Sequence, residues 1–245
     1  MLRVIGLLLL LASPAAGSGL PDAAPLRPSP NFVPAGPATA RGVLVWLPGA
    51  YDQTLHPPPV EPEWVARMAA RALDIWRFDR MRGQDQLASG AETLAAGLRT
   101  LRASGYRQIL VAGHSRGAWI GLTAMAHPGL ADGIVALSPA AHGTQPHRRA
   151  EALAAWRSVW TAADGAGPGQ GLPVVLVQLR DDPWDPDPAE RKAVAVTEVW
   201  RAGLRLLTIH LPESPDGHMG VYERAFDARF GAEIAGFVDP LGAER

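Results

Sequence analysis

The sequence predicts an α/β protein: a single doubly wound, mostly parallel sheet of about six strands, with helices on both faces and no large cap. Three observations predict it. From Gly42 onward, short continuous apolar runs alternate with longer stretches of 3.6-residue apolar period, the pattern of strands buried on both faces beneath covering helices. The alternation shows no internal repeat and no second core, and 245 residues suit one large domain at about 100 to 200 residues each. Hydrophobic residues make up 47% and charged residues 19%, which supplies the apolar volume a buried core needs.

Two segments precede the domain. Met1–Arg3 carries one positive charge, Val4–Ala12 is apolar, and Ala15-Ala16-Gly17 offers the small residues of a cleavage site, so residues 1–17 read as a signal peptide and the mature protein as secreted or periplasmic. The apolar run is about half of what spans a bilayer, so no stable membrane insertion is expected once it is removed. Residues 18–42 hold Pro21, Pro25, Pro28, Pro30, Pro34 and Pro37, a composition that favours an extended tether or a strap laid on the surface.

In the domain proper, residues 43–245, strands are expected at Val43–Leu47, Leu73–Phe78, Gln108–Ala112, Ile134–Leu137, Val174–Leu179 and Leu204–Leu211. Helical patterns lie between them at about Pro62–Arg71, Ala91–Ala103, Ala118–Ala126, Arg149–Thr161 and Ala189–Trp200. A last helix over Val221–Val238 places Val221, Ala225, Phe226, Phe230, Ile234 and Phe237 on one face.

Composition excludes several kinds of chemistry. Lys+Arg 23 against Asp+Glu 24 leaves no field to gather phosphate backbones, so nucleic acid is not an expected partner. The only lysine, Lys192, follows Arg191 instead of glycine, which rules out a P-loop. Cysteine is absent, removing thiol nucleophiles, disulfides, Cys-ligated zinc and a lipid anchor on cysteine. His142 and His147 have no third ligand in view, so neither a metal nor a cofactor is expected.

The chemistry is expected just beyond the carboxyl ends of the strands. The third run ends in Gly113-His114-Ser115-Arg116-Gly117, a G-x-S-x-G between strand and helix, where a tight turn exposes the serine and glycines remove the side chains that would collide. A serine nucleophile needs an imidazole to take its proton and a carboxylate to fix that imidazole's tautomer. Asp181, Asp182 and Asp185 follow the fifth run, and His218 follows the last. The order Ser, Asp, His is met.

On these residues the sequence resembles the α/β-hydrolase superfamily, in its serine, esterase-like branch, from Val43 to the C-terminus. Asp-Asp-Pro-Trp-Asp-Pro at 181–186 looks like the family's acid loop and Gly217-His218 like its histidine loop. The resemblance implies Ser115 as nucleophile, His218 as general base and acid, and Asp182 as the carboxylate that orients it, with Asp181 and Asp185 as alternatives. It also implies an oxyanion hole from the backbone N–H of Arg116 and that of Ala50 or Tyr51, in Leu47-Pro48-Gly49-Ala50-Tyr51. Proline stands there where the family has histidine. Phe78-Asp79-Arg80-Met81-Arg82-Gly83 is close to the family's Asp-x-Arg-Gly turn, one residue longer.

The implied activity is cleavage of a small-molecule carboxylic ester through an acyl-enzyme. Acyltransferase, thioesterase and peptidase activities would use the same residues, and a non-catalytic binding module would not need all three. Between Leu137 and Val174 there is room for one crossover helix and a glycine-rich loop, so the site should open directly to solvent. Trp156 and Trp160, one helical turn apart in that interval, are expected in the core.

Overall fold

The chain forms a seven-stranded sheet. In the computed structural model, residues 26–50, 60–80, 86–141, 148–165 and 171–239 are described. Its strands are β1 (Leu26–Pro28), β2 (Gly42–Leu47), β3 (Leu73–Phe78), β4 (Ile109–His114), β5 (Gly133–Leu137), β6 (Pro173–Gln178) and β7 (Arg205–His210), in the order β1-β3-β2-β4-β5-β6-β7. All neighbours run parallel except β1, which pairs antiparallel with β3.

That first strand is one more than expected. It lies in the proline-rich segment, where Leu26 is buried and Pro28 sits on the outer edge, a place a proline can occupy because no N–H is needed there. The strap beyond it is held down as well: the Asp74 carboxylate accepts the N–H groups of Ala35 and Gly36 at 2.7 and 2.9 Å, and the Tyr106 hydroxyl at 2.5 Å.

Alternation along each strand feeds two cores. Val43, Val45 and Leu47 point to one face, covered by α2 (Leu87–Ala103), α3 (Arg116–Leu122), α4 (Arg149–Thr161) and α5 (Pro188–Ala202). Leu44 and Trp46 point to the other, under α1 (Glu63–Ala69) and the C-terminal helices α6 (Arg224–Phe226) and α7 (Ala232–Val238). Trp156 and Trp160 are fully buried in the first core. Among the described residues no large cap covers the sheet, and no helix is long and apolar enough to cross a membrane.

The expected last helix is broken. A π turn at Asp227–Gly231 separates α6 from α7, and its wider turn shifts the helical phase. Ala235 and Val238 are buried beyond it, while Phe237 is half-buried and Ala225 exposed. The chain turns outward to β3 on one side of β2 and returns to β4 on the other. This switch point opens a crevice at the carboxyl ends of β2 and β4.

Candidate active site

Ser115 stands at that crevice, between the last residue of β4 and the first of α3. Its backbone has φ 55° and ψ −122°, a sparsely populated conformation costing on the order of 1–3 kcal/mol. Three hydrogen bonds hold it: Ser115 N–H donates to Leu137 O at 3.0 Å, and Ser115 O accepts from Trp119 N–H and Ala140 N–H at 3.1 Å each. The glycines of the elbow are steric requirements. A Cβ at Gly113 would lie 2.6 Å from the Gly117 backbone, and one at Gly117 would lie 2.2 Å from Leu47 O and 2.4 Å from Pro48 O.

That second contact also shows how closely the segment after β2 is pressed against the start of α3. Arg80, buried, donates through Nη2 to Pro48 O at 2.8 Å and Gly49 O at 2.9 Å. Because a trans peptide sets its N–H opposite its C=O, the Ala50 N–H is turned away from Arg80. The Arg116 N–H stands at the first position of α3, at the crevice end of that helix. Ala50 is the described member of the expected second-donor pair; Tyr51 lies outside the described residues, as do residues 1–17, His142 and His147.

The loops after β6 and β7 bring the other two groups together. His218 Nδ1 lies 2.9 Å from both Asp182 Oδ1 and Oδ2. Asp182 is buried, and its Oδ1 also accepts the Trp184 N–H at 2.8 Å. A backbone bond from Gly217 N–H to Arg180 O, 2.7 Å, ties the two loops together.

The two alternative aspartates go elsewhere. Asp181 is largely exposed, with Arg180 3.7 Å away. Asp185 is buried, accepts from Gln178 Nε2 at 2.7 Å and faces Arg191 Nη1 at 2.6 Å. Arg191 itself is sandwiched near Trp156 and Trp119, with its guanidinium carbon 4.1 and 5.3 Å from their ring centres, and donates to Pro139 O at 2.7 Å. It therefore braces the acid loop against the segment whose Ala140 holds Ser115.

The Ser115 side is reached through His114. The His114 ring lies 4.6 Å from the His218 ring, and its Nε2 is 2.8 Å from the His218 carbonyl oxygen. Among the described residues the Ser115 hydroxyl itself makes no hydrogen bond. The structure thus draws the Asp182–His218 link and places His218 beside the elbow, with the serine–imidazole hydrogen bond unmade, as is common before substrate binds.

Sequence reasoning did not find the parts played by Arg80, His114, Arg191 and Trp184. For Arg80 a signal was present in the Asp-x-Arg-Gly likeness; for a buried arginine on an amphipathic helix, such as Arg191, there was none. Trp184 flanks His218 at 6.0 Å between ring centres. It also lines a small cleft with Trp119, Ala140, Leu153 and Pro186, of about 20 Å³.

No family model and no curated protein matches the chain. Solved structures do. A truncated carbohydrate esterase from gut microbiota superposes with a TM-score of 0.63 at 12% identity, over 84% of this chain and 87% of that one. Brefeldin A esterase, a bacterial homologue of human hormone sensitive lipase, gives 0.61 at 16% identity, over 90% and 73%. Est1E from Butyrivibrio proteoclasticus gives 0.52 at 16%, over 89% and 92%. The fold is that of the α/β hydrolases.

Proposed function

We propose that this protein is a serine hydrolase that cleaves a small-molecule carboxylic ester through an acyl-enzyme, acting outside the cytoplasm after residues 1–17 are removed. The observation that carries the reading is the joint presence, at the carboxyl ends of parallel strands, of a serine on a strained elbow and a histidine bonded to a buried carboxylate. The names of its structural neighbours, esterases among them, support ester substrates.

In this reading Ser115 Oγ attacks the ester carbonyl carbon as its proton passes to His218 Nε2. Asp182, accepting the Nδ1–H, keeps Nε2 free to take that proton and stabilises the imidazolium that forms. The carbonyl oxygen, now negative, is met by the N–H groups of Arg116 and Ala50, or of Tyr51 in place of Ala50. When the C–O bond breaks, His218 returns the proton to the leaving alcohol. Water then repeats the sequence on the acyl-enzyme and releases the acid. The uncapped crevice favours water as acceptor over a second alcohol or amine.

Turnover of p-nitrophenyl acetate by the wild-type chain and by Ser115→Ala tests the reading. The variant should fold and lose on the order of a million-fold in kcat; equal rates would refute it. An intact mass starting near Ser18 in material from the natural host tests the location.

A further inference from the structure

His114 precedes the nucleophile, yet its side chain serves the base. Because the His218 carbonyl can only accept, the 2.8 Å contact requires that His114 Nε2 carry a proton. The His114 Nδ1 faces Gly49, where an added Cβ would come within 3.3 Å of both it and Ser115 Cβ. On its other sides His114 meets the ring of His218 and the edge of Tyr222, whose ring centre is 5.1 Å away. Three parts of the site therefore converge on one side chain: the elbow, the segment after β2 and the histidine loop.

We propose that His114 is a positioning residue: its Nε2–H, donated to the His218 carbonyl, fixes the His218 loop against the elbow, and its ring is the wall beside which the His218 imidazolium forms. The proposal rests on the reading of Ser115, His218 and Asp182 as a triad. Its geometric force is that His114 and Ser115 are joined by one peptide unit, so that unit and a single hydrogen bond make the shortest link between nucleophile and base. Without the bond, the spacing depends on the Arg191 brace and on loops from β6 and β7, anchored two strands and three strands away from β4.

The charged and titratable groups facing His114 are His218, Tyr222 and, beyond His218, Asp182. Burial and the neighbouring His218 hold the His114 pKa down to about 4, so its ring stays neutral where an esterase would work. A protonated His114 would oppose the charge that His218 must take up.

The test is a side-chain series at one position. In His114→Gln the amide nitrogen reaches as far as Nε2 and restores the donor. In His114→Asn it stops about one bond short, and His114→Leu has none. We expect kcat on p-nitrophenyl acetate to fall on the order of 10- to 100-fold in Asn and Leu, with KM within a few-fold, and the Gln variant to recover most of the loss. Phosphonylation of Ser115 by a fluorophosphonate should follow the same order. Should the Leu variant not fold, the Gln and Asn pair carries the comparison. An active wild type with Asn as fast as Gln would overturn the role of His114 alone. A wild type that neither cleaves esters nor is labelled at Ser115 would overturn the triad reading and this proposal together.

Discussion

His218 Nδ1 sits 2.9 Å from each carboxylate oxygen of Asp182, although 36 residues separate them in the chain. The bond spans the loops after two adjacent parallel strands, β6 and β7, and it singles out one aspartate from three. Asp182 is the one within reach of an imidazole N–H; Asp185, equally buried, is committed to Arg191 and Gln178.

The two buried aspartates should therefore fail in different ways. Asp182→Asn replaces an acceptor by a group that can donate, favouring the wrong tautomer of His218, and kcat should fall on the order of 10⁴-fold with the melting temperature little changed. Asp185→Asn leaves Arg191 buried without its counter-charge, a loss of about 3–5 kcal/mol, so its melting temperature should drop by several degrees. Steady-state kinetics and thermal unfolding of both variants separate the roles, and an Asp185 variant with the larger kinetic defect would reverse the assignment.

Arg80 holds two consecutive carbonyls of the segment that carries the Ala50 N–H. Arg80→Leu frees that segment, and if it supplies an oxyanion donor the cost should approach that of losing one, about 10²- to 10³-fold in kcat. KM should move much less. A kinetically normal Arg80→Leu would show that the donor lies elsewhere.

His114 also makes a pH prediction. Its folded pKa, about 4, lies below the 6.5 of an ordinary histidine. The unfolded chain thus takes up a proton between pH 6.5 and 4 that the native state refuses. Stability is full above pH 6.5 and falls through that window, by an amount on the order of 3 kcal/mol. Unfolding free energies measured from pH 7 to pH 4 should decline less steeply in His114→Gln than in the wild type; parallel curves would contradict the shift.

The cleft beside Trp184, about 20 Å³, has room for only one or two water-sized groups at roughly 10–15 Å³ each. With no cap over the site among the described residues, short acyl chains should be preferred and no rate jump should appear as substrate passes from monomers to micelles. Trp184→Ala removes a wall and should raise the rate on octanoate relative to acetate. An unchanged chain-length profile would place the acyl group outside this cleft.

How much of this was legible follows from what each feature asks of the sequence. Strands such as Ile109–His114 and Pro173–Gln178 are buried on both faces, so every residue before the terminal His114 and Gln178 had to be apolar or small, and the runs stood out. The elbow was legible because a close approach of backbones forbids any side chain at Gly113 and Gly117. Leu26–Pro28 was not, since an edge strand of three residues needs only one buried side chain and tolerates proline. The π turn at Asp227–Gly231 escaped for a different reason: it changes the phase of a helix without altering its apolar content. Arg191 could not be read at all, because its partners come from residues that only the fold brings together.

The central claim is that Ser115 is the activated nucleophile. Incubation of the purified wild-type chain with a fluorophosphonate, followed by peptide mass mapping, tests it most directly. We expect one phosphonyl group, on Ser115, with labelling slowed in Asp182→Asn. An unmodified Ser115 after prolonged exposure, in a chain shown to be folded, would contradict it.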